Sequence, residues 1–278
     1  MYKIGLSSCG RVLGEKEFIE YQTGNIDAVE ISVGLNNCDN IDFEELSKLE
    51  KKYGVDLWSF HLPFSPFSKL EISQKELADS TVKYFEGLIQ KAADIGIDKF
   101  VIHPSGEPIE PEDRAERLKV SKESLFKLSN IAVRNGAVIA VEDLPRTCLG
   151  NCSDEILDLI RVDPALRVCF DTNHLLEEDQ VDFIKKVGNK IVTLHVSDYD
   201  RINERHWLPG EGESDWNAIY KVLNEVGYSG VWLYEIGFGA TKTITRERNL
   251  NCEDILRNAS EIFNGQKLTV IQNQKHIL

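Results

Sequence analysis

The chain has 278 residues, 42% hydrophobic and 28% charged, with 32 lysines and arginines against 46 aspartates and glutamates, a formal net charge of −14. That length exceeds a minimal domain, falls short of two full enzyme domains, and buries a core large enough to fold without disulfide or metal staples. The composition excludes a disordered or fibrous chain, and the acidic balance counts against a surface built to hold a nucleic-acid backbone.

The mid-chain apolar run Ala137–Val141 is far too short for a membrane helix. The start, MYKIGLSSCGR, reaches Ser7 and Arg11 before the core of a secretory signal develops. The six cysteines, at positions 9, 38, 148, 152, 169 and 252, form no CxxC pair. The expectation is a cytoplasmic protein with reduced thiols and no membrane partner, Cys169 being core packing.

Taken in chain order, eight short apolar runs are expected to be strands: Lys3–Ser8, Ala28–Ser32, Val55–His61, Lys99–His103, Val138–Glu142, Arg167–Asp171, Ile191–His195 and Gly230–Glu235. Continuous β-branched runs of this kind suit strands covered on both faces, as in a parallel sheet. Helical periodicity lies between them. Glu76–Ile95 stops at Gly96, Arg114–Asn135 ends in Asn-Gly, and Ser214 is read as the N-cap of a helix bearing Trp216, Tyr220, Leu223 and Val226. An open doubly wound sheet would show a glycine-rich first turn, which SSCGRVLG does not match. The fold read from this alternation is therefore α/β: a single-domain (β/α)8 TIM barrel over residues 1–263, with a C-terminal tail at 264–278. In the tail, LTVI is read as a short extra strand or a docked segment.

Such barrels carry their chemistry at the C-terminal ends of the strands. Four of the six histidines, His61, His103, His174 and His195, fall at or just after those ends, where random placement would put roughly 0.7. Glu142, Asp171 and Glu235 end three of the same runs. Singly, each has a plain reading: a hydrogen-bonded histidine, a rim salt bridge, or, for Asp171-Thr-Asn-His174, a turn. Together, on successive units, they read as a metal site, because carboxylates at the ends of apolar strands are costly unless paired or bound to a cation. Mixed oxygen and imidazole ligands suit Mn²⁺ or Zn²⁺, with Mg²⁺ and Co²⁺ behind them. Glu30, ending AVE, is left between substrate contact and pairing with a barrel arginine.

The segment HVSDYDRINERHWLPGEGESDW, residues 195–216, clusters Arg201, Arg205 and His206 ahead of a PGEG turn. It lacks the lysine and glycine spacing of a phosphate cradle. Gly237-Phe238-Gly239 follows the eighth strand, where barrels often hold phosphate. Trp58, Trp207, Phe64 and Phe67 are read either as an apolar wall for a sugar ring or as packing.

These residues resemble the xylose isomerase-like barrel superfamily. The likeness is to its sugar phosphate isomerase/epimerase group, which also includes ketose 3-epimerases, inosose dehydratases and endonuclease IV-type apurinic-site nucleases. It rests on FHLP with His61, VIHPSG with His103, VEDLP with Glu142, DTNH with Asp171 and His174, LHVSD with His195, RHWLPGEGESDW with His206, and YEIG with Glu235. Two positions depart from it: Glu204-Arg205-His206 stands where the nuclease branch has Asp-x-His, and Asp143 stands where many relatives have Asn.

The resemblance implies one divalent ion on Glu142, Asp171, His195 and Glu235, with His174 toward the substrate. His61, His103, Arg201 and His206 stand as further substrate contacts. It implies a small-molecule carbohydrate partner and an isomerase or epimerase in which Glu142 and Glu235 remove and return a proton through a metal-stabilised enediolate. The alternatives are a zinc-dependent endonuclease IV-like phosphodiesterase, with up to three ions, an inosose dehydratase-like lyase, and a metal-free binding protein that kept the pocket. Homo-oligomerisation is left open.

Overall fold

Each of the eight apolar runs becomes a parallel strand, and the segments between them cover the sheet with helices. The computed structural model describes residues 2–64 and 69–276. In chain order the elements begin β1 (Ile4–Ser7), α1 (Glu15–Thr23), β2 (Ala28–Ser32), a short α2 (Leu35–Cys38), α3 (Phe43–Tyr53), β3 (Asp56–His61), α4 (Lys75–Ala93) and β4 (Lys99–Ile102). They continue α5 (Arg114–Arg134), β5 (Val138–Glu142), α6 (Ser153–Ile160), β6 (Arg167–Asp171), α7 (Gln180–Val187), β7 (Ile191–His195), α8 (Trp216–Glu225) and β8 (Trp232–Tyr234). The chain ends with β9 (Ile244–Arg246), α9 (Cys252–Phe263) and β10 (Gln272–Lys275).

The main sheet runs β7-β6-β5-β4-β3-β2-β1-β8. It closes where Val196 N donates to Leu233 O at 2.8 Å and Glu235 N donates to Val196 O at 3.1 Å, so β7 meets β8 and the structure is a (β/α)8 barrel. Register aligns the C-terminal ends at one rim: Ser32 is paired with His61 and Asp171 with His195. Side chains on both faces of the strands are buried, which is why the runs read as continuous rather than alternating.

The helices seal the outside by one apolar stripe each. In α4 the buried set Ala78, Val82, Phe85, Leu88, Ile89 and Ala92 follows a 3.6-residue period. Most of the buried apolar side chains join one contiguous cluster, and each fully buried Leu, Ile, Val or Phe contributes about 1.5–3 kcal/mol. Under the eighth unit, Trp232 stacks on Tyr2 with centroids 5.9 Å apart and packs edge-on against Trp216, Tyr220 and Phe263. This aromatic group ties the last strand to the first.

Three local expectations change. The N-cap of α8 is Asp215, not Ser214: the Asp215 carboxylate accepts from Ala218 N, while Ser214 N is already bonded to Asp198. The extra strand of the tail begins just after LTVI, at Gln272, and pairs antiparallel with β9. The helix α2 interrupts the loop after β2, in a stretch whose four residues are too few to carry a periodic signal.

Candidate metal centre

The strand ends open into a cavity of ≈ 970 Å³, lined by His103, Glu142, His174, Glu204, His206 and Glu235 among others. Beneath its floor lie His61, Asp171 and His195, each at the last residue of its strand and almost entirely buried. The closed barrel turns His61, Glu142, Asp171 and His195, each the last residue of its strand, toward a common point. That is how residues from positions 61 to 235 come to meet.

His195 is the hub. Its Nδ1 lies 3.0 Å from Glu142 Oε1, 3.5 Å from Glu235 Oε2 and 3.8 Å from Asp171 Oδ2. Ligand atoms of Glu142, Asp171, His195 and Glu235 all lie within 4.8 Å of one another. A second group shares Glu142: His61 Nε2 and His103 Nε2 stand 3.1 and 3.2 Å from its Oε2. His174 Nε2 faces Asp171 Oδ2 and Glu204 Oε2, each at 3.5 Å. The site thus brings together His61, His103, Glu142, Asp171, His174, His195 and Glu235, with His206 at 3.8 Å from Glu235.

The ring orientations carry chemical information. His61 Nδ1–H donates to Leu62 O at 2.9 Å, and His174 Nδ1–H donates to Asp143 O at 2.7 Å. In the neutral state each ring then turns the lone pair of Nε2 toward carboxylate oxygens. A lone pair facing an anion needs a proton or a cation between them. Asp171 Oδ2 is buried with no hydrogen-bond partner, which is costly unless a positive charge compensates it. Imidazole nitrogens, carboxylate oxygens and that orphaned atom together fit a divalent transition-type cation.

The electrostatics are correspondingly uneven. Burial works to raise Glu142, but the His195 and His103 rings hold its carboxyl well below the usual range. Burial pushes Glu235 up to about 7. Burial also works to lower His195, yet Cys169 and the carboxylates of Glu235, Glu30 and Glu142 drive it well above the ordinary histidine value. Burial raises the Asp143 carboxyl well above its usual value, and its Oδ1 accepts from Asp171 N at 2.8 Å.

Other candidates are placed differently. Arg201 does not line the cavity; its guanidinium lies beside Gln180 at 3.5 Å. Trp207 is fully buried and donates its indole N–H to Thr243 Oγ1, and Trp58 sits near the start of β3 under Lys99. Neither lines the cavity at the strand ends. Phe64 does, stacked on His103 at 4.2 Å between centroids. Phe67 lies outside the described residues. Gly237 is at the wall, and Phe238 packs under Arg11. Among the described residues Glu30 meets no arginine: it is fully buried against His195 and Ser59.

The mouth holds a group that the sequence reading missed. Arg146 joins Glu107, Glu204 and Asn203, linking the loops after β4, β5 and β7. Burial opposes ionisation of Glu204, but His174 and Arg146 bring it down to about 2. The signal was available in VEDLPR, since Arg146 follows the fifth strand end by four residues, but charge alone does not reveal its partners.

Residues 21–250 match the family described as a xylose isomerase-like TIM barrel, and the chain belongs to that family. An uncharacterized protein of Methanocaldococcus jannaschii is 26% identical over 217 residues, 74% of this chain and 73% of its own. An inosose dehydratase of Clostridium perfringens is 26% identical over 141 residues, 43% of this chain and 47% of its own. Among solved structures, a D-tagatose 3-epimerase-like protein superposes with a TM-score of 0.79 at 23% identity, covering 94% of this chain and 96% of that one. An L-ribulose 3-epimerase superposes at 0.70 with 20% identity, covering 94% and 86%. At these identities the structural likeness speaks for the fold.

Proposed function

We propose that the protein is a divalent-metal-dependent isomerase or epimerase of a sugar or sugar phosphate. The observation that carries this reading is the convergence of Glu142, Asp171, His195 and Glu235 on one point at the cavity floor, with an orphaned Asp171 oxygen among them. The names of the superposed epimerases support the same class. A cation held by these four residues would supply positive charge next to a substrate oxygen, which would acidify the neighbouring C–H bond. Glu142 ends β5 and Glu235 follows β8, three strands further round the barrel. One takes the proton from carbon and the other returns it, either to the opposite face or to the neighbouring carbon. His103, His174 and His206, at the wall, present imidazole nitrogens to hydroxyl groups.

Incubating the metal-loaded protein with a panel of free and phosphorylated ketoses in deuterated water tests this reading. A new epimer or isomer carrying deuterium at the reacting carbon is the expected product. No turnover of any ketose, with cleavage of another substrate class by the same sample, sinks it.

A second reading rests on the His61–His103–Glu142 group and the His174–Glu204 pair beside the first site. A cluster of several zinc ions on such ligands activates water toward a phosphodiester. The net charge of −14 disfavours a DNA substrate. Zinc-dependent incision of an abasic-site duplex at moderate salt would promote it.

A further inference from the structure

We propose that Glu30 is a positioning residue for His195, fixing the ring so that Nε2 carries its proton and Nδ1 turns to the ion site. This rests on the reading that Glu142, Asp171, His195 and Glu235 hold a cation.

Glu30 lies at the third position of β2, inside the barrel and fully buried. Among the described residues its carboxylate has two side-chain partners. Ser59 Oγ, on β3, donates to Oε2 at 2.8 Å, and His195 Nε2 lies 3.1 Å from Oε1 and 3.2 Å from Oε2. No lysine or arginine reaches it. An ionised carboxylate in such surroundings is expensive unless a positive group pairs with it. The His195 ring is that group, and both of its nitrogens face carboxylate oxygens.

The two faces of the ring differ in kind. Toward Glu30 there is one carboxylate, already tied to Ser59, and Nε2–H donates to its Oε2, with Oε1 close by at 3.1 Å but without a hydrogen bond. Toward the cavity there are three carboxylates whose oxygens lie 3.0–3.8 Å from Nδ1. This is the arrangement in which an outer carboxylate sets the tautomer of a ligating histidine and raises its basicity. His61 and His174 are oriented by backbone carbonyls instead. His195 alone of these three is oriented by a charged group, so it alone loses both alignment and charge when one side chain is changed. Ser59 completes the device by donating to Oε2, the same oxygen that His195 Nε2 meets.

The test combines cobalt titration with nitrogen NMR of the histidine rings in wild type, Glu30→Gln and Glu30→Ala. The glutamine amide oxygen still accepts from Nε2–H and fills the same volume, so Glu30→Gln is expected to bind Co²⁺ within a few-fold of wild type. Glu30→Ala is expected to lose about 10–100-fold in affinity and to show an altered visible Co²⁺ spectrum, with circular dichroism unchanged. In metal-free and Zn²⁺-loaded wild type, His195 Nε2 is expected to carry a proton protected from exchange, kept in Glu30→Gln and lost in Glu30→Ala. Wild-type Co²⁺ affinity and spectrum in folded Glu30→Ala overturn the inference. If wild type takes up no Co²⁺, the ion reading fails, and the ring measurement still decides the orientation: an unprotonated Nε2 refutes it.

Discussion

The indole N–H of Trp216 donates to Asp198 Oδ2 at 2.9 Å, joining the residue three beyond the seventh strand end to the first residue of α8. Asp198 is fully buried and also accepts from the backbone N–H groups of Tyr199, Gly210 and Ser214. One carboxylate therefore folds the whole PGEG loop back over the barrel rim. Gly212 is part of the same packing: a Cβ there would lie 2.2 Å from Asp198 Oδ1 and 2.3 Å from Tyr199 O. Gly210 supplies the positive φ of +94° that the turn needs.

Replacing Asp198 by alanine leaves these donors buried and unpaired. We expect Asp198→Ala to lose roughly 3 kcal/mol of stability, and Gly212→Ala to be destabilised as well through backbone contact. Urea unfolding of both variants measures this; wild-type midpoints would show that the loop does not depend on the Asp198 network.

A pH effect is expected at the start of α9. Asp254 accepts from Arg248 at 2.8 Å and from Arg257 at 2.7 Å, and the Arg248 pairing holds its carboxyl below the usual aspartate range. Its stabilisation is therefore complete above the unfolded value of about 3.9 and is lost as pH falls through the lower folded value. Both arginines are partly exposed, so Asp254→Asn should cost on the order of 1 kcal/mol at neutral pH. That difference should shrink below about pH 4. An equal difference at pH 7 and pH 3 would contradict the assignment.

The barrel and its rim were legible because both faces of the strands are buried and their last residues are polar. Val138–Glu142, Arg167–Asp171 and Ile191–His195 stand in the sequence as apolar runs ending in a ligand-type residue, and all three bounds match the structure. The role of Glu30 was not legible. Its partner His195 is 165 positions away, and only the closed barrel shows that β2 and β7 share an interior. Arg201 misled for the opposite reason: its closeness to His206 in sequence says nothing about side-chain direction in a loop. Arg146 was hidden because its partners come from two other loops, those after β4 and β7.

Metal binding should depend on the four residues at the cavity floor. Wild type should hold about one tightly bound ion through them, favouring Mn²⁺ or Zn²⁺ over Ca²⁺ given the imidazole ligand. Asp171→Ala and His195→Ala should each lose it by elemental analysis. An ion at a hundredfold excess over its dissociation constant stabilises the fold by about 2.7 kcal/mol, so a chelator should lower the thermal midpoint of wild type and leave the variants unmoved. Full metal retention in both folded variants would remove the site.

The chemical roles of the two glutamates give the sharpest expectation. Glu142 ends β5 and Glu235 follows β8; under the proposed mechanism a planar intermediate between them would be approached from two sides. Each carboxylate also touches the ion site, which positions it at the cost of some basicity. Glutamine keeps the shape and an oxygen ligand but cannot carry a proton between carbon and solvent. Glu142→Gln and Glu235→Gln should therefore fold normally and lose about 10²–10⁴-fold in turnover. They should differ in the half-reaction that fails. With substrate in deuterated water, the variant that retains the proton-abstracting carboxylate should still wash deuterium into unreacted substrate, whereas the other should exchange nothing. Near-wild-type turnover in both variants would rule out this pair as the acid and base, and His174, which faces the same cavity, would be the next residue to test.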